Sequence, residues 1–213
     1  MFTGLIEAIC VVKSARPNAG GVSLTVELGN LAEQCKIGDS IAMNGVCLTV
    51  AELTGSLATF ELSTETLARS TLGKLKPSSK VNVEQAMKPT DRFGGHFVQG
   101  HVDGTATIKA IKRQGDFADI EFAAQPELLS QMVVKSSVAV DGISLTIAGL
   151  NRSSFSVALI PQTLKKTTLG TAKVGDTVNI ETDIIVKTIK SYLDKILPQK
   201  QTLTVEKLRE LGF

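Results

Sequence analysis

The chain contains no tryptophan, one tyrosine and two histidines in 213 residues. Proteins that hold single-stranded nucleic acid need exposed aromatic side chains for base stacking. A basic surface is their second hallmark, whereas the net charge here is only +2. Both observations argue against a nucleic-acid-binding module as the function of this chain.

Cysteine is also scarce. The three cysteines, Cys10, Cys35 and Cys47, are odd in number and form no C-x-x-C pair. This pattern argues against a disulfide scaffold and against structural zinc. We expect Cys10 and Cys35 to be buried structural thiols. Because the two histidines come with no further metal-ligand motif, we expect no metal.

Long apolar runs are missing as well. No segment approaches the roughly 20 apolar residues that span a bilayer. The first residues lack the basic and apolar segments of a signal peptide. We therefore expect a cytoplasmic protein with no membrane partner.

The most informative feature is an internal repeat. Residues 37–84 align with residues 134–181 without a gap, and more than a third of the aligned positions are identical. The segment 44–49 (NGVCLT) aligns with 141–146 (DGISLT), and 81–84 (VNVE) aligns with 178–181 (VNIE). A repeat of about 100 residues exceeds the roughly 20–50 residues of a solenoid unit. The duplication therefore predicts two domains, each with its own core.

Each half shows the alternation of β-strands. Residues 22–28 alternate apolar and polar side chains, which is the period of a strand with one buried face. We count about six short strands per half, and closure into a barrel would leave no exposed edges. The prediction is an all-β fold of two tandem six-stranded Greek-key barrels followed by a C-terminal α-helix. We expect barrels at residues 1–90 and 97–184 and a helical tail at 185–213.

The tail has a different pattern. Its apolar residues recur at helical spacing and predict an amphipathic helix that ends before Pro198; they are Ile185, Ile189, Tyr192, Leu193 and Ile196. Thr204 is placed to cap a second short helix that runs to Phe213. The pattern leaves open whether the stripe packs on its own barrel or mediates self-association.

Five motifs resemble those of the riboflavin synthase family. They are residues 1–7 (MFTGLIE), 44–49 (NGVCLT), Gly94-Gly95-His96 with Gly100-His101, 141–146 (DGISLT) and 160–164 (IPQTL). The similarity runs from residue 1 to about residue 197 and includes the duplication.

The resemblance implies a transferase that needs no cofactor. One molecule of 6,7-dimethyl-8-ribityllumazine donates a four-carbon unit to a second molecule. The products are riboflavin and 5-amino-6-(D-ribitylamino)uracil, in the last step of riboflavin biosynthesis. The resemblance also implies one lumazine per barrel and a homotrimer held by the C-terminal helices. Its active site would lie between the first barrel of one subunit and the second barrel of its neighbour. Association with lumazine synthase is left open.

The same resemblance implies the residues that line the substrates. The first lumazine is expected against Gly4, Leu5, Ile6, Cys47, Leu48, Thr49, Glu61, Leu62, Ser63, Thr64, Glu65 and Thr66. The second is expected against Gly100, His101, Val102, Ser144, Leu145, Thr146, Ala158, Leu159, Ile160, Pro161, Gln162 and Thr163. In the family pattern, Lys135 reaches a ligand across a subunit contact. The reacting pair is expected near Phe2, Thr3, Ser40, Cys47, His96, His101, Ser144, Thr146 and Asp183.

Differences between the repeats indicate where catalysis has specialised. Cys47 aligns with Ser144, and His101 aligns with Leu5. Phe2 likewise aligns with Val98. A thiol can act as a nucleophile or an acid–base group, and an imidazole is suited to moving a proton near neutral pH.

Three features also have purely structural interpretations. Asp183 can cap the tail helix. Asn44-Gly45 and Asp141-Gly142 have the composition of hairpin turns.

A second function from another class is a non-catalytic lumazine or flavin carrier, as in the antenna proteins related to this family. Such proteins have lost parts of the reacting site. Here Cys47, His101, Ser144 and Thr146 are all present, which favours the enzyme.

Overall fold

The computed structural model describes residues 1–196. The predicted second tail helix, Thr204 to Phe213, lies outside the described residues.

The first barrel is a closed antiparallel sheet in the order β1-β2-β5-β4-β3-β6. Its strands are β1 (Ala8–Asn18), β2 (Gly21–Glu27), β3 (Ser40–Met43), β4 (Val46–Thr54), β5 (Leu57–Ser63) and β6 (Lys80–Gln85). Helix α1 (Thr64–Arg69) and two 3-10 helices (Gly29–Gln34 and Thr71–Lys74) connect them. Strand β6 returns beside β3 after the β3-β4-β5 meander, which is the Greek-key connection.

The second barrel repeats this topology, in the order β10-β11-β8-β7-β12-β9. Its strands are β7 (Gly104–Gln114), β8 (Phe117–Ala123), β9 (Ser137–Val140), β10 (Ile143–Leu150), β11 (Ser154–Leu159) and β12 (Thr177–Thr182). The connections carry α2 (Pro126–Leu129), α3 (Pro161–Lys166) and a 3-10 helix (Thr168–Thr171). The prediction of two six-stranded barrels with a C-terminal helix is confirmed.

Each barrel has its own apolar interior. In β2, Leu24 and Val26 are buried and belong to one apolar cluster with Phe60 of β5. In the second barrel, Phe122 and Phe155 stack with their ring centroids 5.1 Å apart. Since the inward-facing residues recur at every second position, the strand alternation in the sequence accounts for both cores.

The barrels contact each other through two equivalent hairpin turns. Asn44 and Gly45 have φ of 45° and 76°, and Asp141 and Gly142 have φ of 44° and 78°. Two successive positive φ angles define the turn type that Asn-Gly and Asp-Gly favour. A Cβ on Gly45 would lie 2.7 Å from the backbone nitrogen of Gly142. Glycine is therefore needed for the two turns to touch.

Two buried asparagines join the barrels reciprocally. Asn82 Nδ2 donates to the Asp141 carbonyl (3.0 Å), and Asn82 Oδ1 accepts from the Thr168 N–H (2.8 Å). In the equivalent contact from the second barrel, Asn179 Nδ2 donates to the Asn44 carbonyl (2.9 Å) and Asn179 Oδ1 accepts from the Thr71 N–H (2.7 Å). Buried amides stabilise a contact when their donors and acceptors are paired in this way.

Two short segments exchange places between the barrels. Phe2 and Val98 form an antiparallel bridge, with Phe2 N–H donating to Val98 O at 2.8 Å. Beyond this crossing, Ile6 packs against the core of the second barrel and Val102 packs against the core of the first. Each barrel is thus completed by a side chain that precedes the first strand of the other.

The C-terminal helix α4 (Ile184–Ile196) begins after Asp183, whose carboxylate accepts from the Ile185 N–H at 2.9 Å. An ion pair of Lys187 with Asp103 (2.9 Å) anchors its first turn to the second barrel. Its apolar stripe is 46–66% exposed and consists of Ile185, Ile189, Tyr192, Leu193 and Ile196. Within residues 1–196, no helix has the length and apolarity to cross a membrane.

The turn residue Asp141 yields a prediction about pH. Burial raises the pKa of Asp141 from 3.8 to about 7. Because the folded state binds this proton more tightly than the unfolded state, stability is lost as the pH rises from about 4 through about 7. Asn44 occupies the equivalent position as a neutral side chain. Asp141→Asn should therefore raise the free energy of unfolding by at least about 1 kcal/mol more at pH 8 than at pH 5.

Urea unfolding at the two pH values measures this effect, with Asn44→Asp as the matched control. The control should lose more stability at pH 8 than at pH 5. Equal effects of Asp141→Asn at both pH values would contradict the ionisation argument.

Candidate functional site

The exchanged segments create two equivalent sites. In the first, the Cys47 N–H donates to the Gly100 carbonyl at 2.9 Å. A Cβ on Gly100, whose φ is +81°, would lie 2.4 Å from the Cys47 Cβ, so only glycine fits there. We call this the Cys47 site, comprising Cys47, Thr49, Gly100, His101 and Val102.

The second site has the same backbone arrangement. The Ser144 N–H donates to the Gly4 carbonyl at 2.8 Å. A Cβ on Gly4, whose φ is +77°, would lie 2.6 Å from the Ser144 Cβ. We call this the Ser144 site, comprising Gly4, Leu5, Ile6, Ser144 and Thr146.

The backbone contacts differ from the grouping expected from the sequence. That grouping placed Gly4–Ile6 with Cys47–Thr49, and Gly100–Val102 with Ser144–Thr146, whereas Gly4 contacts Ser144 and Gly100 contacts Cys47. The antiparallel bridge between Phe2 and Val98 explains the difference. Each segment runs past the other at this crossing and lies against the opposite barrel.

The remaining candidates for substrate contact lie where β5 and β11 end. Ser63 ends β5 and caps α1, because its hydroxyl accepts from the Thr66 N–H at 3.2 Å. In the other half, Pro161 occupies the first turn of α3. Three residues of the two predicted sets have side chains buried in a barrel interior, so these side chains are not available to a ligand; they are Leu48, Leu62 and Leu159. At the ends of β5 and β11, the exposed members of these sets are Glu61, Ser63, Thr64, Glu65, Ala158, Ile160, Pro161 and Gln162.

His96 is buried and pairs with Ser144, which is half-buried. Its Nδ1 lies 2.7 Å from the Ser144 Oγ. The Nε2 atom is buried, and no hydrogen-bond partner for it occurs among residues 1–196. Burial lowers the pKa of His96 from its ordinary value, and the negative charge of Asp183 opposes this effect. A neutral imidazole at this place can accept the proton of the serine hydroxyl.

His101 has the opposite environment, since its side chain is exposed. A cavity of about 820 Å³ opens beside it, and its wall includes Val102, Thr105, Gln125 and Arg69. This volume lies in the range of small-molecule pockets, about 300–1,000 Å³. The imidazole is therefore accessible to a ligand that occupies this cavity.

The other predicted site residues occupy supporting positions. Phe2 is fully buried between the barrels, in contact with the cluster that includes Val98. Thr3 is buried and donates to Glu84. Ser40 faces Thr49 across the β3–β4 ladder. Lys135 is exposed at a turn with φ of 73°.

Two buried glutamates were missed by the sequence reasoning. Glu84 and Glu181 are 3% and 2% exposed and accept hydrogen bonds from the segments that carry Gly4 and Gly100. A signal was available, since Asn and Glu recur together in the aligned VNVE and VNIE strands. Polar residues that recur at the same two positions of this strand in both copies indicate that the two strands use them in the same way.

The other cysteines have structural environments. Burial raises the pKa of the Cys10 thiol to about 11, which keeps it protonated. Cys35 donates to the Leu31 carbonyl and accepts from Gln85. Over the described part of the chain, no group of three or more His, Cys, Asp or Glu side chains is arranged to hold a metal ion.

Comparison with known proteins decides the family. The family model of the lumazine binding domain matches residues 3–86 and 99–183, so it matches twice. The riboflavin synthase of Bacillus subtilis is 40% identical over the full length of both chains. The chain belongs to the riboflavin synthase family. The riboflavin synthase of Schizosaccharomyces pombe is 40% identical over 92% of this chain and 94% of that protein.

Solved structures share the fold of this riboflavin synthase family member. LumP complexed with 6,7-dimethyl-8-(1'-D-ribityl) lumazine gives a TM-score of 0.78 at 22% identity, covering 85% of this chain and 99% of that one. LumP complexed with riboflavin gives 0.79 at 23% identity, with the same coverage. The duplicated barrel architecture is therefore also present in a distantly related protein.

The tight contact at Gly100 yields a prediction. Gly100→Ala should destabilise the protein, because the new methyl group collides with Cys47 and the backbone must leave its positive φ. Gly38→Ala is the matched control, since Gly38 has φ of +93° and a Cβ added there would meet nothing within 4 Å. The control carries only the backbone cost of about 1–2 kcal/mol, and Gly100→Ala should cost about 1–3 kcal/mol more. Urea unfolding of both variants measures the difference, and equal losses would contradict the packing at the Cys47 site.

Proposed function

We propose that the chain catalyses the dismutation of two molecules of 6,7-dimethyl-8-ribityllumazine to riboflavin and 5-amino-6-(D-ribitylamino)uracil. Full-length relatives at about 40% identity are riboflavin synthases, so the chain is an enzyme of the transferase class. The four-carbon unit that one lumazine loses is the unit that the other gains. The reaction therefore balances without an added oxidant or reductant.

The observation that carries this proposal is the pair of equivalent sites with unequal side chains. Both sites have a glycine carbonyl bound to the N–H of a facing strand residue, at 2.9 Å and 2.8 Å. One site offers Cys47 and His101, and the other offers Ser144 and Leu5. Two identical substrates that take different roles need this combination of like shape and unlike chemistry.

In the Cys47 site, we assign the proton transfers to His101. Its exposed imidazole stands beside the cavity, where it can remove a proton from the 7-methyl group of a bound lumazine. The electron-poor ring makes this methyl group acidic. The Cys47 thiol is half-buried on the outer face of β4 and can act as nucleophile or acid–base group.

In the Ser144 site, the pair of His96 and Ser144 supplies the reactive group. The neutral imidazole accepts the Ser144 hydroxyl proton across 2.7 Å and makes the oxygen more nucleophilic. Asp183 provides the nearby negative charge that stabilises the imidazolium formed in this step. Thr146 is exposed on the same strand and can bind a ring carbonyl or the ribityl chain.

We further propose that the protein is a homotrimer in which the first barrel of one subunit faces the second barrel of its neighbour. The exposed apolar stripe of α4 supports self-association over packing on its own barrel. Lys135 is exposed and free to reach a neighbouring site. We also propose barrel domains at residues 1–90 and 97–184, a tail at 185–213 and a cytoplasmic location.

Turnover by site variants tests the function. We expect wild-type protein to convert the lumazine to riboflavin, which is followed by its absorbance. His101→Ala should lower kcat by about 10²–10⁴-fold, because a placed acid–base group is lost. Cys47→Ser should also lower kcat, whereas Cys35→Ser, at a structural thiol of the same barrel, should not.

Two outcomes would contradict these assignments. Tight binding of the lumazine by the wild type without riboflavin formation would favour a non-catalytic carrier. Full activity of both the Cys47→Ser and His101→Ala variants would remove the proposed catalytic roles and leave the family assignment intact.

Sedimentation equilibrium tests the trimer. Ile189→Glu places a charge in the apolar stripe of α4 and should convert trimers to smaller species, because a buried unpaired charge is costly. Lys195→Glu changes a charged residue outside that stripe on the same helix and should leave the trimer intact. A monomeric wild type, or an Ile189→Glu variant that remains trimeric, would contradict the proposed assembly.

A further inference from the structure

We propose that Glu84 and Glu181 are positioning residues, each of which holds one of the two histidines and the backbone of one substrate site in the reactive geometry. The inference rests on the proposed function, because it assumes that the Cys47 and Ser144 sites carry the reaction. Neither carboxylate is hydrogen-bonded to an imidazole, to the Cys47 thiol or to the Ser144 hydroxyl; both bind the backbone of the segments near these groups.

Glu181 binds the segment of the Cys47 site through three backbone N–H groups. Its Oε1 accepts from Gln99 at 2.7 Å, and its Oε2 accepts from Gly100 at 2.9 Å and from His101 at 3.0 Å. The carboxylate thereby holds the main chain of the exposed histidine directly. The Gly100 carbonyl on the same segment accepts from the Cys47 N–H, so one carboxylate orients both reactive residues of this site.

Glu84 binds the segment of the Ser144 site in the equivalent way. Its Oε1 accepts from the N–H and the hydroxyl of Thr3, both at 2.6 Å, and its Oε2 accepts from the Gly4 N–H at 2.9 Å. The Thr3 carbonyl then accepts from the His96 N–H at 3.2 Å, and the Gly4 carbonyl accepts from the Ser144 N–H at 2.8 Å. Glu84 therefore acts on the His96–Ser144 pair through Thr3 and Gly4.

A carboxylate suits this task better than any neutral side chain. It offers two oxygens that only accept, whereas glutamine would turn an NH₂ group toward a backbone N–H. Hydrogen bonds to a charged acceptor are also about twice as strong as neutral ones. Burial raises the pKa of both glutamates, and the N–H groups oppose this effect. A buried carboxylate in each barrel is tolerated because its oxygens are bound by the segment that it orients.

The two glutamates act across the barrel boundary. Glu84 lies on β6 of the first barrel and serves the Ser144 site on the second, and Glu181 lies on β12 and serves the Cys47 site on the first. Each substitution should therefore disturb one site and leave the other intact. This reciprocity provides each variant with a matched control in the same chain.

The experiment compares Glu181→Gln with Glu84→Gln in the full-length protein. Because the chain has two histidines, ¹³C-labelled histidine gives two sets of imidazole signals, which a His96→Gln variant assigns. Glu181→Gln should shift the His101 signals and leave those of His96 in place, and Glu84→Gln should do the reverse. Both variants should lower kcat about 10²-fold, the loss expected when a reacting group is displaced by about 1 Å, while KM changes much less.

Several results would overturn the inference. A kcat within about twofold of wild type in both variants would remove any positioning role, given the loss expected from misplacement. Equal shifts of both histidines in both variants would show that the glutamates support folding in general. If a glutamine variant does not fold, the matching aspartate variant keeps the charge, shortens the reach and should give the same site-selective shifts. Failure of the proposed function is distinct, because the wild type itself would then form no riboflavin.

Discussion

The structure depends on the crossing of two short segments between the barrels. Phe2 and Val98 form an antiparallel bridge where the segments meet, and each segment then continues onto the opposite barrel. The Gly4 carbonyl reaches Ser144 and the Gly100 carbonyl reaches Cys47 because neither glycine has a side chain to hold the strands apart. Without this crossing, each barrel would lack the apolar side chain, Ile6 or Val102, that its partner supplies.

The last strand of each barrel carries the polar residues that support the crossing. In the VNVE and VNIE strands, the valines and the isoleucine fill the interior. The asparagines join the facing hairpin turns, and the glutamates bind the exchanged segments. Such buried polar groups are tolerated because their partners are in place, and each would be costly if its partner were lost. One four-residue motif therefore links the contact between barrels to the shape of both sites.

Much of the fold follows from the sequence, because the repeat and the strand alternation are local signals. The turns at Asn44-Gly45 and Asp141-Gly142 were predictable for the same reason. The strand that each glycine segment contacts could not be predicted. Gly4 and Gly100 are adjacent to their own barrels in sequence, whereas the crossing depends on long-range contacts. The sequence indicated His96 and Ser144 separately as site residues. Their hydrogen bond could not be predicted, because the two residues lie 48 positions apart. The spacing of Tyr192 and the other apolar tail residues predicted a helix, but it did not predict what covers the apolar stripe of that helix.

A crystal structure of the protein with riboflavin, the stable reaction product, tests the segment crossing most directly. We expect one flavin that contacts Cys47 together with Gly100 and His101, and a second that contacts Ser144 together with Gly4 and Leu5. A flavin held between Cys47 and Gly4–Ile6 of the same chain would contradict it. In that case, the two sites would each be built from a single half of the chain.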